Sequence, residues 1–198
     1  MTPQSLHRLI LAVADAVIAH EQELTALDQA IGDGDHGLNM KRGFAGIREN
    51  AEALAAKPLP EALRAAGTEL VMKVGGASGP LYGTLLMTLG KEIAPDGSNL
   101  PQAFALAVAA VMARGKSHPG QKTMLDVLVP VQHALEAGGA DLGVRLPEIA
   151  RQAAAATVPM LATRGRASFL GERSVGHPDP GARSAALMVA ASCQALES

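Results

Sequence analysis

An all-α fold is what this sequence predicts, and three observations point to it. Aromatic residues make up only 2% of the chain, so the apolar 48% is drawn from Ala, Leu, Val and Met, which pack helices closely and suit sheets poorly. Apolar residues recur at helical spacing from end to end. Clusters of Gly, Pro and Asn interrupt them at intervals that suit helix hairpins. The expectation is one domain over residues 1–198, an antiparallel bundle of eight helices.

In chain order, the first helix is expected over 4–29 and the second over 37–56, separated by a glycine-threaded acidic segment. Pro58 and Pro60 open the third, 59–74, and a Gly-rich turn leads to the fourth, 80–92. Asn99 and Pro101 start the fifth, 101–114; the sixth, 122–137, is closed by Gly138 and Gly139. The seventh is expected over 147–163 and the eighth over 181–196, where Asp179 and Pro180 are helix-start residues. The connectors 30–36, 75–80, 115–121 and 164–180 carry more Gly and polar groups than turns need. An up-and-down bundle places alternate connectors at one end, so these can converge on one site.

A net charge of −2 and a pI near 6.3 argue against nucleic acid or an anionic membrane as partner. Cys193 is the only cysteine, which excludes an internal disulfide and a zinc-cysteine cluster and suits a reducing cytoplasm. On its Ala-rich helix it reads as a small core residue. The N-terminal residues lack a signal-peptide layout and no uninterrupted apolar span follows, so a soluble cytoplasmic chain is expected.

Charge is concentrated most sharply at Asp28, Asp33, Asp35 and His36. Two like charges about 4 Å apart repel by roughly 4 kcal/mol at an effective dielectric of ~20, so three converging carboxylates call for a hard divalent cation. Three Asp can hold one or two Mg²⁺ beside a polyphosphate, and the charge balance favours two. An acidic turn using Asp for Asx geometry is the alternative. Three formal pattern matches fail. Gly32-x-Gly34-x-x-Gly37 follows a helix and presents carboxylates, unlike a dinucleotide loop. Arg114-Gly115-Lys116-Ser117 lacks the upstream glycine of a Walker loop, which falls at Ala110. An EF-hand read from Asp33 puts Phe44 where a bidentate Glu is required.

The other connectors are ambiguous from their residues alone. Val74 to Thr84 joins two helices through small residues whose amides, with the Ser78 hydroxyl, suit a phosphate or simply a tight turn. His36 and Asn39 suit phosphate contact or helix capping. Gly115 to Asp126 offers a basic, hydroxylic loop in which Met124 can pack on a purine or in the core. The 164–180 connector reads as a lid or as disorder.

Taken in order, GDGDHGLNMKRGF, VGGASGPLYGT, RGKSHPGQKTMLD, GRASFLGERS and GHPDPGARS resemble the nucleotide-binding L subunits of bacterial dihydroxyacetone kinases, the DhaL family, across nearly the whole chain. That resemblance implies an antiparallel eight-helix barrel with ADP or ATP and two Mg²⁺ held by loops at one end. It makes Asp28, Asp33 and Asp35 the metal ligands. His36, Gly37, Leu38 and Asn39, with Ala77 and Ser78, would line the phosphate side; Gly115, Met124 and Arg166 would border the nucleotide, and Asp179, Pro180 and Gly181 would close over it. It further implies a kinase subunit that keeps ADP as a cofactor, takes phosphoryl from a DhaM-type phosphotransferase protein and passes it to dihydroxyacetone on a DhaK-type subunit. Direct use of ATP, and another short ketose or sugar acid as acceptor, are alternatives within the family; a homodimer is left open. Two positions depart from the family pattern: Gly34 where Ala is common, and Gln121 where Asp is common. Outside the family, a two-metal phosphohydrolase and a non-enzymatic cation-binding module are the rival readings.

Overall fold

The structure, a computed structural model, describes residues 1–197. Ten α-helices and one 3-10 helix account for the regular structure of these residues: α1 (Pro3–Ala19), α2 (Glu21–Ile31), α3 (His36–Glu49), α4 (Ala51–Ala55), α5 (Leu59–Lys73), α6 (Ser78–Glu92), α7 (Leu100–Gly115), α8 (Leu125–Ala137), α9 (Leu142–Ala156), the 3-10 helix Arg166–Ser174, and α10 (Pro180–Glu197). The all-α expectation is borne out. α1, α3, α5, α6, α7, α8, α9 and α10 each pack on the next, and α10 packs on α1, closing a ring of eight. α2 continues α1 and wedges between α3 and α10.

Local chemistry explains the starts and stops. Thr2 accepts a hydrogen bond from the Ser5 amide at 3.1 Å and Pro3 follows it, so α1 begins with a satisfied cap. Asp179 does the same for α10, accepting from the Ala182 amide at 2.7 Å. The interior is mostly aliphatic: Val17, Leu70, Val108, Val111, Leu125 and Val131 fill one core together with the aromatic Phe44, with Ala14, Ala107, Ala150 and Ala182 at the helix contacts. Small side chains there let the helices approach closely, which is what an Ala-rich, aromatic-poor composition permits. Gly37 is the sharpest case. A Cβ on it would overlap the Glu21 carbonyl and Thr25, so only glycine lets α3 start this close to α2.

Four of the expected helices differ in their bounds. The helix expected over 4–29 breaks at His20, whose ψ of 16° leaves the helical path, and its ring Nδ1 bonds the Ala16 carbonyl at 2.7 Å. The helix expected over 37–56 breaks at Asn50, which is tied to Glu69 of α5 at 2.9 Å. α8 starts at Leu125 rather than 122 because Lys122 has a left-handed φ of 62°. α9 starts at Leu142, so Pro147 lies inside it, and it stops at Ala156, shortly before Pro159, where the residue preceding a proline disfavours helix. Among the described residues no helix is long and apolar enough to cross a membrane.

Candidate functional site

Around the ring the helices alternate in direction, so α3, α6, α8 and α10 all begin at the end where α2, α5, α7 and α9 finish. Four helix N-termini therefore face the same mouth, and each contributes the positive end of a dipole. An anion is favoured there before any side chain is considered.

Asp28, Asp33 and Asp35 meet at this mouth, with one carboxylate oxygen from each lying within 4.8 Å of the others. Asp28, on the last turn of α2, is buried. Its Oδ2 accepts from the Asp35 amide at 2.9 Å and the His36 amide at 3.1 Å, so it caps α3 from the preceding helix. Its Oδ1 lies against Gly32, where any Cβ would displace it. Asp33 and Asp35 are exposed, and Asp33 Oδ2 accepts from Arg166 Nε at 2.8 Å. An all-oxygen, triply anionic donor set fits a hard divalent cation such as Mg²⁺ and suits a soft metal poorly.

His36 opens α3 and is buried. Ser78 Oγ at the start of α6 lies 3.1 Å from its Nδ1, and Ser184 Oγ on α10 lies 3.0 Å from its Nε2. Tyr82 completes the network: its hydroxyl is 2.7 Å from Ser184 Oγ and donates to the Gly181 carbonyl at 3.0 Å. One imidazole thus ties three helix starts together. Burial holds its pKa below the usual histidine range, against the opposing pull of the Asp28 and Asp35 carboxylates. Burial likewise raises that of the Tyr82 hydroxyl.

The remaining expected residues lie around the same mouth. Ala77 and Ser78 start α6, and Asn39 sits one turn into α3, buried, its Oδ1 accepting from Arg42 at 2.8 Å. Gly115 ends α7 near Leu81 of α6. Met124, buried, adjoins Gly181 at the start of α10. Arg166 starts the 3-10 helix and forms one wall of a cavity of about 170 Å³ with Ile31, Gly32, Asp33, Phe169 and Leu170. Leu38 is exposed, with no polar contact to fix it. A larger cavity of about 500 Å³, lined by Pro101, Gln102, Ala105, Leu106 and Glu136, lies toward the opposite end and holds no comparable cluster of polar groups.

Several supporting residues escaped the sequence reading. Lys122, 1% exposed, donates from Nζ to the carbonyls of Met160 at 3.0 Å and Ser174 at 2.6 Å, with Val158 at 3.4 Å. Asp126 accepts from the Gly120 and Thr123 amides and so shapes the loop before α8. Thr157 accepts from the Asp179 amide at 2.9 Å. Burial pushes the Asp179 carboxyl up to about 7; the Ala182 amide and Lys122 oppose the rise, and Asp126 and Asp28 add to it. Tyr82 left one signal, as the single tyrosine of the chain, whereas Ser184 is one of two serines in an Ala-rich helix and does not stand out.

Residues 30–194 match the DAK2 domain family. The chain belongs to that family. Among the relatives of this chain, the ADP-binding subunit DhaL of PEP-dependent dihydroxyacetone kinase 1 of Listeria innocua serovar 6a is 44% identical over 183 residues, 91% of this chain and 90% of its own. The ADP-binding subunit DhaL of the PEP-dependent dihydroxyacetone kinase of Escherichia coli strain K12 is 43% identical over 185 residues, 88% of each chain. The dihydroxyacetone kinase of C. freundii, solved in complex with AMP-PNP and Mg²⁺, superposes with a TM-score of 0.79 at 24% identity, over 96% of this chain and 33% of that kinase. The chain thus spans about a third of that kinase, and the likeness there is one of fold. Asp28 lies just ahead of the matched residues, so the third carboxylate of the cluster comes from outside them.

Proposed function

We propose that this chain is the nucleotide-holding subunit of a dihydroxyacetone kinase of the phosphotransferase-system type. The observation that carries the proposal is the convergence of Asp28, Asp33 and Asp35 on a mouth formed by four helix N-termini. Relatives of similar length named as ADP-binding subunits of PEP-dependent dihydroxyacetone kinases support it.

On this reading the three aspartates would hold two Mg²⁺, which would supply neutralisation of the phosphate charge. His36, Gly37, Leu38 and Asn39, with Ala77 and Ser78, present amides and short polar groups to the phosphates. Gly115, Met124 and Arg166 border the base and sugar, and Asp179, Pro180 and Gly181 close the site. These groups position and stabilise the charge of the transferring phosphoryl, and the acceptor hydroxyl and its base come from a DhaK-type partner. A bond forms between the dihydroxyacetone oxygen and γ-phosphorus as the bond to the β-phosphoryl oxygen breaks, leaving ADP in place. A DhaM-type protein then returns a phosphoryl group to that ADP. The chain works as one domain in the cytoplasm, and a homodimer is compatible with this scheme.

The test is to purify the chain without added nucleotide, denature it, and quantify released nucleotide and magnesium. About one ADP and two Mg²⁺ per chain support a retained cofactor. An empty chain that binds ATP reversibly points to a directly ATP-driven kinase, and turnover of nucleotide by this chain alone points to a phosphohydrolase. Failure to bind any nucleotide overturns the proposal.

A further inference from the structure

Asn39 belongs to the phosphate-facing group, but a carboxamide has an accepting end and a donating end, and only the donating end helps an anion. Which end faces the mouth is decided by its neighbours. Arg42, one turn further along α3, donates from its terminal nitrogen to Asn39 Oδ1 at 2.8 Å and from Nε to the Lys73 carbonyl at 2.7 Å. A guanidinium has five donors and no acceptor, so it can only be met by the amide oxygen. Asn39 is buried, and among the described residues no protein group accepts from its Nδ2. The Lys73 carbonyl lies at the end of α5, immediately before the loop that carries Ala77 and Ser78. Arg42 is therefore anchored at both ends of its fork to the two segments expected to hold phosphate.

We propose that Arg42 is a positioning residue: by holding Asn39 Oδ1 it fixes the carboxamide so that the Nδ2 donors face the bound nucleotide's phosphates. This rests on the nucleotide-holding function proposed above. Without Arg42 the amide turns freely between two orientations, one of which sets its oxygen against the phosphates.

A double-mutant cycle tests this, reading the Kd for ADP with Mg²⁺ by calorimetry and folding by thermal melting. Arg42→Met alone, and Asn39→Ala alone, should each weaken ADP by about tenfold, the worth of one hydrogen bond to a charged group. Combined, they should weaken it no more than Asn39→Ala does, because Arg42 acts through the amide. Asn39→Asp should keep the Arg42 contact, melt no lower than the parent and lose most ADP affinity, since a carboxylate oxygen replaces the donors. If Arg42→Met leaves ADP binding unchanged, or weakens it equally in both backgrounds, Arg42 does not act through Asn39 and the inference is overturned. If the unmodified chain binds no ADP, the nucleotide-holding function fails and this inference fails with it.

Discussion

Lys122 Nζ donates to the carbonyl of Ser174 at 2.6 Å, joining residues 52 positions apart in the chain. With the Met160 and Val158 carbonyls as further acceptors, one buried ammonium gathers the start and end of the connector that holds Arg166. Lys122→Met removes the donor and leaves those carbonyls to find water, a loss of about 3 kcal/mol. Urea denaturation measures it, and limited trypsinolysis should show faster cleavage at Arg164, Arg166 and Arg173. Unchanged cleavage would show that the connector is held by something else.

The three aspartates should separate into two classes. Asp33→Ala and Asp35→Ala remove exposed carboxylates, so ADP retention should be abolished while the helical circular dichroism stays the same. Asp28→Ala also removes the cap of α3 and should lower stability by about 1–2 kcal/mol besides. Normal ADP retention by Asp33→Ala or Asp35→Ala would sink the metal assignment.

Stability should depend on pH through Asp179. Its carboxyl titrates at about 7 in the folded chain against an ordinary value of 3.8. Between these values the unfolded chain releases the proton and the folded chain keeps it. The residue's contribution is therefore complete below about 3.8, is lost as pH rises to about 7, and stays lost above that. Asp179→Asn keeps an oxygen for the Ala182 amide and cannot ionise. In nucleotide-free protein it should match the parent near pH 4 and exceed it by roughly 2–4 kcal/mol at pH 8. Parallel melting curves across that range would refute the burial argument.

Tyr82→Phe should be mild in stability and plain in binding. Ser184 Oγ also donates to the Gly181 carbonyl at 3.0 Å, so the loss is about 1 kcal/mol. The Gly181 carbonyl then has one donor in place of two, and ADP should dissociate faster, as stopped-flow displacement would record.

Much of this was legible in the sequence, for identifiable reasons. The eight ring helices follow from apolar periodicity with Pro and Gly at their ends, and the acidic cluster from charge set among glycines. His20 and Asn50 were not legible as breaks, because each is fixed by hydrogen bonds that periodicity does not register. The left-handed Lys122 was hidden because lysine is ordinarily a surface residue, and its partners lie 36 to 52 positions away. The His36, Ser78, Ser184 and Tyr82 network spans three helices, and only the closed ring brings it together.

That closure also sets an order of events during synthesis. His36 and Ser184 are 148 residues apart, and α10 both seals the seam between α9 and α1 and supplies the Asp179 to Gly181 turn. As the chain leaves the ribosome, the acidic loop emerges early, but the neighbouring His36 has no Ser184 partner and the mouth no closing turn until α10 follows. Until then the flanks of α1 and α9 expose their apolar stripes. Capacity to hold a nucleotide is thus acquired late and all at once, which makes it a sensitive reporter of whether the ring has closed.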